Sequence, residues 1–260
     1  MNGLLCNAIG VAALVAVAMG EPCNPVTEVR PVAAFLGVHA SDDIDVTVTV
    51  RPTAYNASLL VSANAGFIPK VNTQVMGGML TVGLAKGATS SCVTVEIVVP
   101  QPLQYAGAFN GAEMSVDAIT GQRLAASTGG ELRVQTLSSI EPVAIAAHSR
   151  GEVDVANGNA SVIAVTCSDK SNVDLGTLKV QQAVVAVDRE SNVDNLSVGL
   201  AIVTATGESN VEATVTEAVI IVCSGSDIEV RGGGKVVQHA SIQCNVEKTR
   251  GADLTREILP

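Results

Sequence analysis

Tryptophan is absent from the 260 residues, and aromatic side chains of every kind make up 2% of them. Sugar-binding proteins usually stack rings on Trp or Tyr, and only Tyr55 and Tyr105 are available for that. A chain with so few aromatics and 47% hydrophobic residues must build its core from Val, Ala, Ile and Leu. Positive charge is also scarce: 15 Lys and Arg stand against 25 Asp and Glu, a net charge of −10. No basic patch exists to replace phosphate counterions, which excludes nucleic acid as a partner. No CxxC spacing occurs, so zinc ribbons and thioredoxin-type chemistry have no foothold. The three histidines, His39, His148 and His239, lack the i, i+4 partner of a helical metal site. No stretch is long and apolar enough to span a bilayer.

What is present reads first as an export signal. The apolar run from Ile9 to Met19 ends in Ala18-Met19-Gly20, a signal-peptide core followed by a small-x-small cleavage site. Residues 1–20 are therefore expected to be removed and the mature protein to be secreted, extracellular or held at the cell envelope. Five cysteines remain, Cys23, Cys92, Cys167, Cys223 and Cys244, and an odd number leaves at least one unpaired within the chain. Three sequons, at Asn56, Asn159 and Asn195, are candidate glycosylation sites if the host is eukaryotic.

From about residue 109 one eight-residue phrase recurs: FNGAEMSV, STGGELRV, HSRGEVDV, SDKSNVDL, DRESNVDN, TGESNVEA, CSGSDIEV and SIQCNVEK. Their fifth positions are spaced by 18, 21, 20, 20, 18, 17 and 18 residues, which is the signature of a repeat architecture. The fourth position is small and suits a corner. The fifth is acidic or Asn, residue types that tolerate left-handed turns. The sixth is always apolar, the seventh is mostly charged and the eighth is mostly apolar, which is a strand with one face in and one out. Two further short strand-like pieces follow each phrase, such as Leu178-Lys179-Val180 and Ala183–Val187. Three strands and three corners make one turn of a coil. No repeat carries 3.6-residue periodicity, which excludes helices.

The expected fold is all-β: a three-sided single-stranded β-helix of about 8 coils of 17–21 residues, with an N-terminal β cover. Residues 21–105 read as that cover and a first sheet, 106–250 as the solenoid and 251–260 as a polar tail. Coils stack at about 4.8 Å, so Cys167 and Cys223, three coils apart, lie about 14 Å from each other, beyond disulfide reach. The expected bridges are Cys23–Cys92 and Cys223–Cys244, with Cys167 a buried thiol. The seventh positions place Asp154, Asp174, Asp194, Glu212 and Glu229 in one column. Like charges at that spacing repel, so the column is either a solvated edge or is screened by a basic partner or a weakly held calcium ion. Asn172, Asn192 and Asn210 stand two residues earlier and share its face.

Taken in order, these segments resemble the putative auto-transporter adhesin head domain, also called the head GIN domain. The family's Val-Arg-x-Val-x-x-Phe opening is matched by Val29, Arg30, Val32 and Phe35, and its Ile-Asp-Val strand by Ile44-Asp45-Val46. Its next stretch is matched by Val71, Thr73, Val75, Gly78, Leu80 and Val82, and its Pro-ended strand by Val95–Pro100. The resemblance implies a single-stranded β-helix in an extracellular or envelope setting and brings no catalytic residues. Carboxylates spread one per coil do not form the convergent pair that sugar hydrolysis needs. The expected function is a secreted, non-catalytic, adhesin-like module without a cofactor, whose partner is a cell-surface or extracellular polysaccharide or protein. The alternatives are a carbohydrate-active β-helix enzyme and a structural wall or envelope component.

Overall fold

Small aliphatic side chains on alternate positions direct this chain into strands, and its turn formers bend those strands into a coil. The computed structural model describes residues 23–88, 92–240, 244–249 and 254–257. The apolar segment 9–19 and the expected cleavage site lie outside them. The chain is 70% strand and 1% helix, wound as a β-solenoid of about 7 turns. The count differs slightly from the expected number of coils, and the class is the one expected.

Each turn has three sides. The first carries the second half of every phrase, with 113–116, 131–134, 152–155, 172–174, 192–194, 210–212 and 227–230 paired in parallel, each on the next. The second side stacks 136–139, 157–160 and 177–180. The third stacks 144–148, 163–168, 183–187, 200–206 and 218–224. Met114, Leu132, Val153, Val173, Val193, Val211 and Ile228 form one internal column, each partnered with its neighbours and none more than 1% exposed. The sixth position of the phrase is thus the core position.

The corner chemistry differs from the sequence expectation. Left-handed backbone falls on the second and third positions of the phrase, not the fifth: Asn110 and Gly111, Thr128 and Gly129, Ser149 and Arg150, Asp169 and Lys170, Arg189 and Glu190, Gly207 and Glu208. The fifth position instead opens the strand and points outward. Consecutive corners hold one another through backbone bonds, such as Arg150 N to Asp169 O at 3.0 Å and Lys170 N to Arg189 O at 3.0 Å. The fourth position is tight, as expected. A Cβ on Gly130 would lie 2.3 Å from the Ala108 carbonyl oxygen. Later turns fill this position with buried Ser171, Ser191, Ser209 and Ser226. Their hydroxyls need partners; Ser209 donates to Thr206 O at 2.7 Å and Ser191 accepts from Ser171 N at 3.2 Å.

Within the segment read as the cover, residues 23–88 and 92–105 supply both coil and cover. Gly37–Ser41 lies between Met79–Leu84 and Leu103–Phe109, and Asp45–Val50 lies between Thr94–Val99 and the start of Glu113–Ser127, all parallel. The turn formed by 37–50 is therefore sandwiched between two that follow it in sequence. Beyond it the pairing becomes antiparallel: Ser58–Asn64 on Thr94–Val99, Pro25–Arg30 on Ser58–Asn64, and Val71–Met76 on Met79–Leu84. Arg30 pins this end, donating to Ile68 O at 2.7 Å and pairing with Glu28 at 2.8 Å. At the other end, Leu254–Glu257, inside the segment read as a polar tail, adds a parallel strand to Lys235–Ala240. The glycine-rich 232–234 connects two sides of one turn, Asp227–Arg231 and Lys235–Ala240. Both expected disulfides are present, Cys23–Cys92 and Cys223–Cys244, and Cys167 is a buried free thiol.

Candidate functional site: an acidic ladder

Outward side chains repeat with the coil, so strand register determines which of them become neighbours. On the first side two columns run along the coil axis. The seventh positions place Asp154 beside Asp174 and Asp174 beside Asp194. After a bulge between Val193 and Leu196 the column continues as Glu212, Glu229 and Glu247. The fifth positions give a second column, Glu113, Glu131, Glu152, Asn172, Asn192, Asn210 and Asp227. The expected acidic residues and the three asparagines therefore do share one face.

Two arginines interrupt the negative charge. Arg133, itself a seventh-position residue, pairs with Glu131 and lies 3.8 Å from Glu113. Arg231 pairs with Glu212 and, at 2.8 Å, with Glu229. Asp174 is engaged by the fold: its Oδ1 accepts from Gly176 N at 2.8 Å and from Asn195 Nδ2 at 2.9 Å. Asp154 stands next to Arg133 in this column, so the stretch without an arginine beside it is Asp174 to Asp194. Among the described residues no group of three or more His, Cys, Asp or Glu side chains converges to hold a metal ion. A calcium ion on this face would meet the ladder's carboxylates in strand-spaced pairs.

The electrostatics are strongest at Asp154, whose carboxyl is pushed up to about 6 from 3.8. Burial is the largest cause, followed by Glu152, Asp174 and Glu131, with Arg133 opposing them. Asp194 is raised in the same direction by burial, Asp174 and Glu212. A carboxyl held above its unfolded value costs the folded state once it ionises. That cost is absent below about pH 4, grows as pH rises through 6, and is complete above it. Asp154→Asn is therefore expected to raise the melting temperature at pH 7.5 and to leave it unchanged at pH 4. Solvent screening keeps the gain small, since the group is partly exposed. Melts of both proteins at the two pH values check this, and an equal shift at both would refute it.

All three sequon asparagines, Asn56, Asn159 and Asn195, are exposed. The Asn195 amide is engaged by Asp174, and its φ is 59°. His39 stacks on Phe109 with ring centroids 4.3 Å apart, and burial lowers its pKa. His148 Nδ1 lies 2.6 Å from the Ser168 hydroxyl. No helix among the described residues is long and apolar enough to cross a membrane.

Sequence reasoning missed one surface. On the third side the outward columns from Ala144 to Val237 and from Ala146 to Val222 carry no charged residue and are largely aliphatic. The signal lies in runs such as Ala183–Val187 and Ala218–Cys223, which are apolar at nearly every position instead of alternating.

Comparison with known proteins agrees with this architecture. The family described as "Putative auto-transporter adhesin, head GIN domain" matches residues 34–239. A putative adhesin from Parabacteroides merdae is similar in structure, with TM-score 0.68 and 13% identity over 91% of this chain and 96% of that one. A putative adhesin from Parabacteroides distasonis gives TM-score 0.69 and 13% identity over 90% and 98%. A putative lipid binding protein from the same species gives 0.71 and 10% over 89% and 97%. At these identities the likeness shows the fold. Among curated proteins no match is found.

Proposed function

The chain belongs to the family of putative auto-transporter adhesin head GIN domains, and from that premise we propose that it is a secreted, non-catalytic binding module that meets a basic partner through its acidic ladder. The observation carrying this reading is the seventh-position column, in which a carboxylate recurs once per turn from Asp154 to Glu247. A partner with evenly spaced cationic groups, whether a protein surface or a cationic polysaccharide, is matched by such a ladder at several points together. Disulfides support an oxidising compartment, as does the signal-like segment 1–20. Catalysis of the sugar-hydrolase kind calls for two carboxylates converging across a cleft, whereas these sit side by side on one wall.

The test is binding to immobilised basic and acidic proteins and polysaccharides at increasing salt. The protein is expected to be retained by basic surfaces, with retention falling as salt screens the ladder. Glu152→Gln combined with Asp194→Asn should weaken it severalfold. Salt-independent binding, or a variant that binds like the parent, would overturn the role of this face. Release of shortened products from a polysaccharide would favour the enzyme alternative.

A further inference from the structure

The third side of the solenoid is an exposed aliphatic sheet on a polyanion. Val184, Leu200, Ile202, Ile220 and Val222 sit on three adjacent strands and are 40–51% exposed. Register aligns Ala144, Ala164, Val184, Ile202, Ile220 and Val237 in one column along the axis. Two residues further along each strand, Ala146, Thr166, Ala186, Thr204 and Val222 form the next column. At two turns the first column is a ridge and the second a furrow, Val184 beside Ala186 and Ile202 beside Thr204, while Ile220 and Val222 close the furrow on the next strand. The titratable residues aligned with these columns stand at the axial ends, Arg123 at one and Lys235 and His239 at the other.

We propose that this face is the contact between two copies of the chain, packed sheet on sheet in a reversible dimer. The net charge of −10 makes any close approach of two copies unfavourable unless they meet on an uncharged surface, and this side supplies one. Shape points the same way. A two-fold axis parallel to the coil axis, midway between ridge and furrow, sets each copy's ridge into the other's furrow, an isologous contact. The sheets then lie about 10 Å apart, the ordinary separation of stacked sheets. Five strands at about 4.8 Å by six residues at about 3.3 Å give roughly 480 Å² per copy, or about 1,000 Å² in all, which is the lower limit for a specific interface. The dimer is accordingly weak, with a Kd of order 10–100 µM. A lipid surface is the less favoured occupant, because the face carries neither the aromatic residues nor the cations that anchor proteins at bilayer interfaces.

Sedimentation equilibrium of the purified protein across that concentration range, at low and high salt, tests the proposal. The parent is expected to dimerise, and more tightly at high salt, because salt screens the repulsion and does not weaken apolar contact. Ile202→Glu should raise Kd at least tenfold, and Ile202→Thr, which keeps a strand-forming side chain, should raise it severalfold. Ile140→Glu, an apolar and still more exposed residue in the bend between Glu131–Ser139 and Val143–His148, outside the two columns, should leave it unchanged. Circular dichroism confirms that each variant is folded. A parent that stays monomeric at high salt overturns the proposal, as does an Ile202→Glu variant that dimerises like the parent. Flotation with neutral phosphatidylcholine vesicles is the remaining arm: monomeric parent protein that floats, and loses this with Ile202→Glu, assigns the face to lipid instead.

Discussion

Val193→Asp is expected to abolish the folded array. Val193 is fully buried in the internal column, with Val173 on the coil before it and Val211 on the coil after. A carboxylate there has no partner, and in a low-dielectric core it must either stay charged at large cost or take up a proton. The loss exceeds about 4 kcal/mol, the range reserved for buried unpaired charge and severe packing damage. Position multiplies it. In a solenoid each coil is stabilised by its neighbours, so a lesion in the middle removes two interfaces and leaves two short stacks with open ends. Val193→Ala removes only methyl groups and should melt lower while remaining folded. Asp194→Asn, one residue away and outward, should melt close to the parent. Far-ultraviolet circular dichroism during thermal melting distinguishes the three. A Val193→Asp protein that melts within a few degrees of the parent would mean that the column is not the support of the stack.

That column was legible because two periods coincide in the sequence: alternation within the strand and recurrence of the phrase about every 19 residues. Sixth-position residues from Met114 to Ile228 satisfy both, and the register follows. The corners were legible only in part. Small fourth positions signalled confinement, but Arg150, Lys170, Arg189 and Glu190 hold left-handed backbone without any glycine to announce it. Their conformation is set by the corner stacked above and below, which no local pattern encodes. The order of the first turns was illegible for a similar reason. Segment 37–50 pairs with strands 40 to 70 residues away on both sides, and it lies outside the repeated phrase. The acidic ladder could be read from the seventh positions. Arg133 occupies a seventh position in the phrase itself, whereas its pairing with Glu113 and that of Arg231 with Glu212 depend on side-chain reach between coils and emerged only from the structure.

Removing the Cys23–Cys92 bridge is expected to cost more than removing Cys223–Cys244. The first joins residues 69 apart, with Cα atoms separated by 5.9 Å; the second joins residues 21 apart, at 5.7 Å. Loop-closure entropy of the unfolded chain gives about 4 kcal/mol for the longer loop and about 3 for the shorter. The longer loop also spans the strands that turn the parallel stack antiparallel at its N-terminal end, so the bridge holds the cover over that end. Cys23→Ser/Cys92→Ser should therefore melt roughly 10 °C below the parent, at a few degrees per kcal/mol for a chain of this size, and Cys223→Ser/Cys244→Ser less far below. Cys167 makes the pairing checkable on the same samples. Its thiol is buried, donates to Asn192 O at 3.3 Å, and is pushed up to about 12 chiefly by burial. The reactive thiolate is thus scarce at neutral pH, and alkylation of the native protein prepared without residues 1–20, and so without Cys6, should label nothing. Alkylation after unfolding without reductant should label one cysteine per chain, in the peptide containing Cys167. A native protein that reacts at Cys167, or a non-reduced peptide map that finds Cys167 in a bridge, would contradict the pairing. If both double-serine variants melt alike, the N-terminal cover unfolds on its own and does not set the stability of the stack.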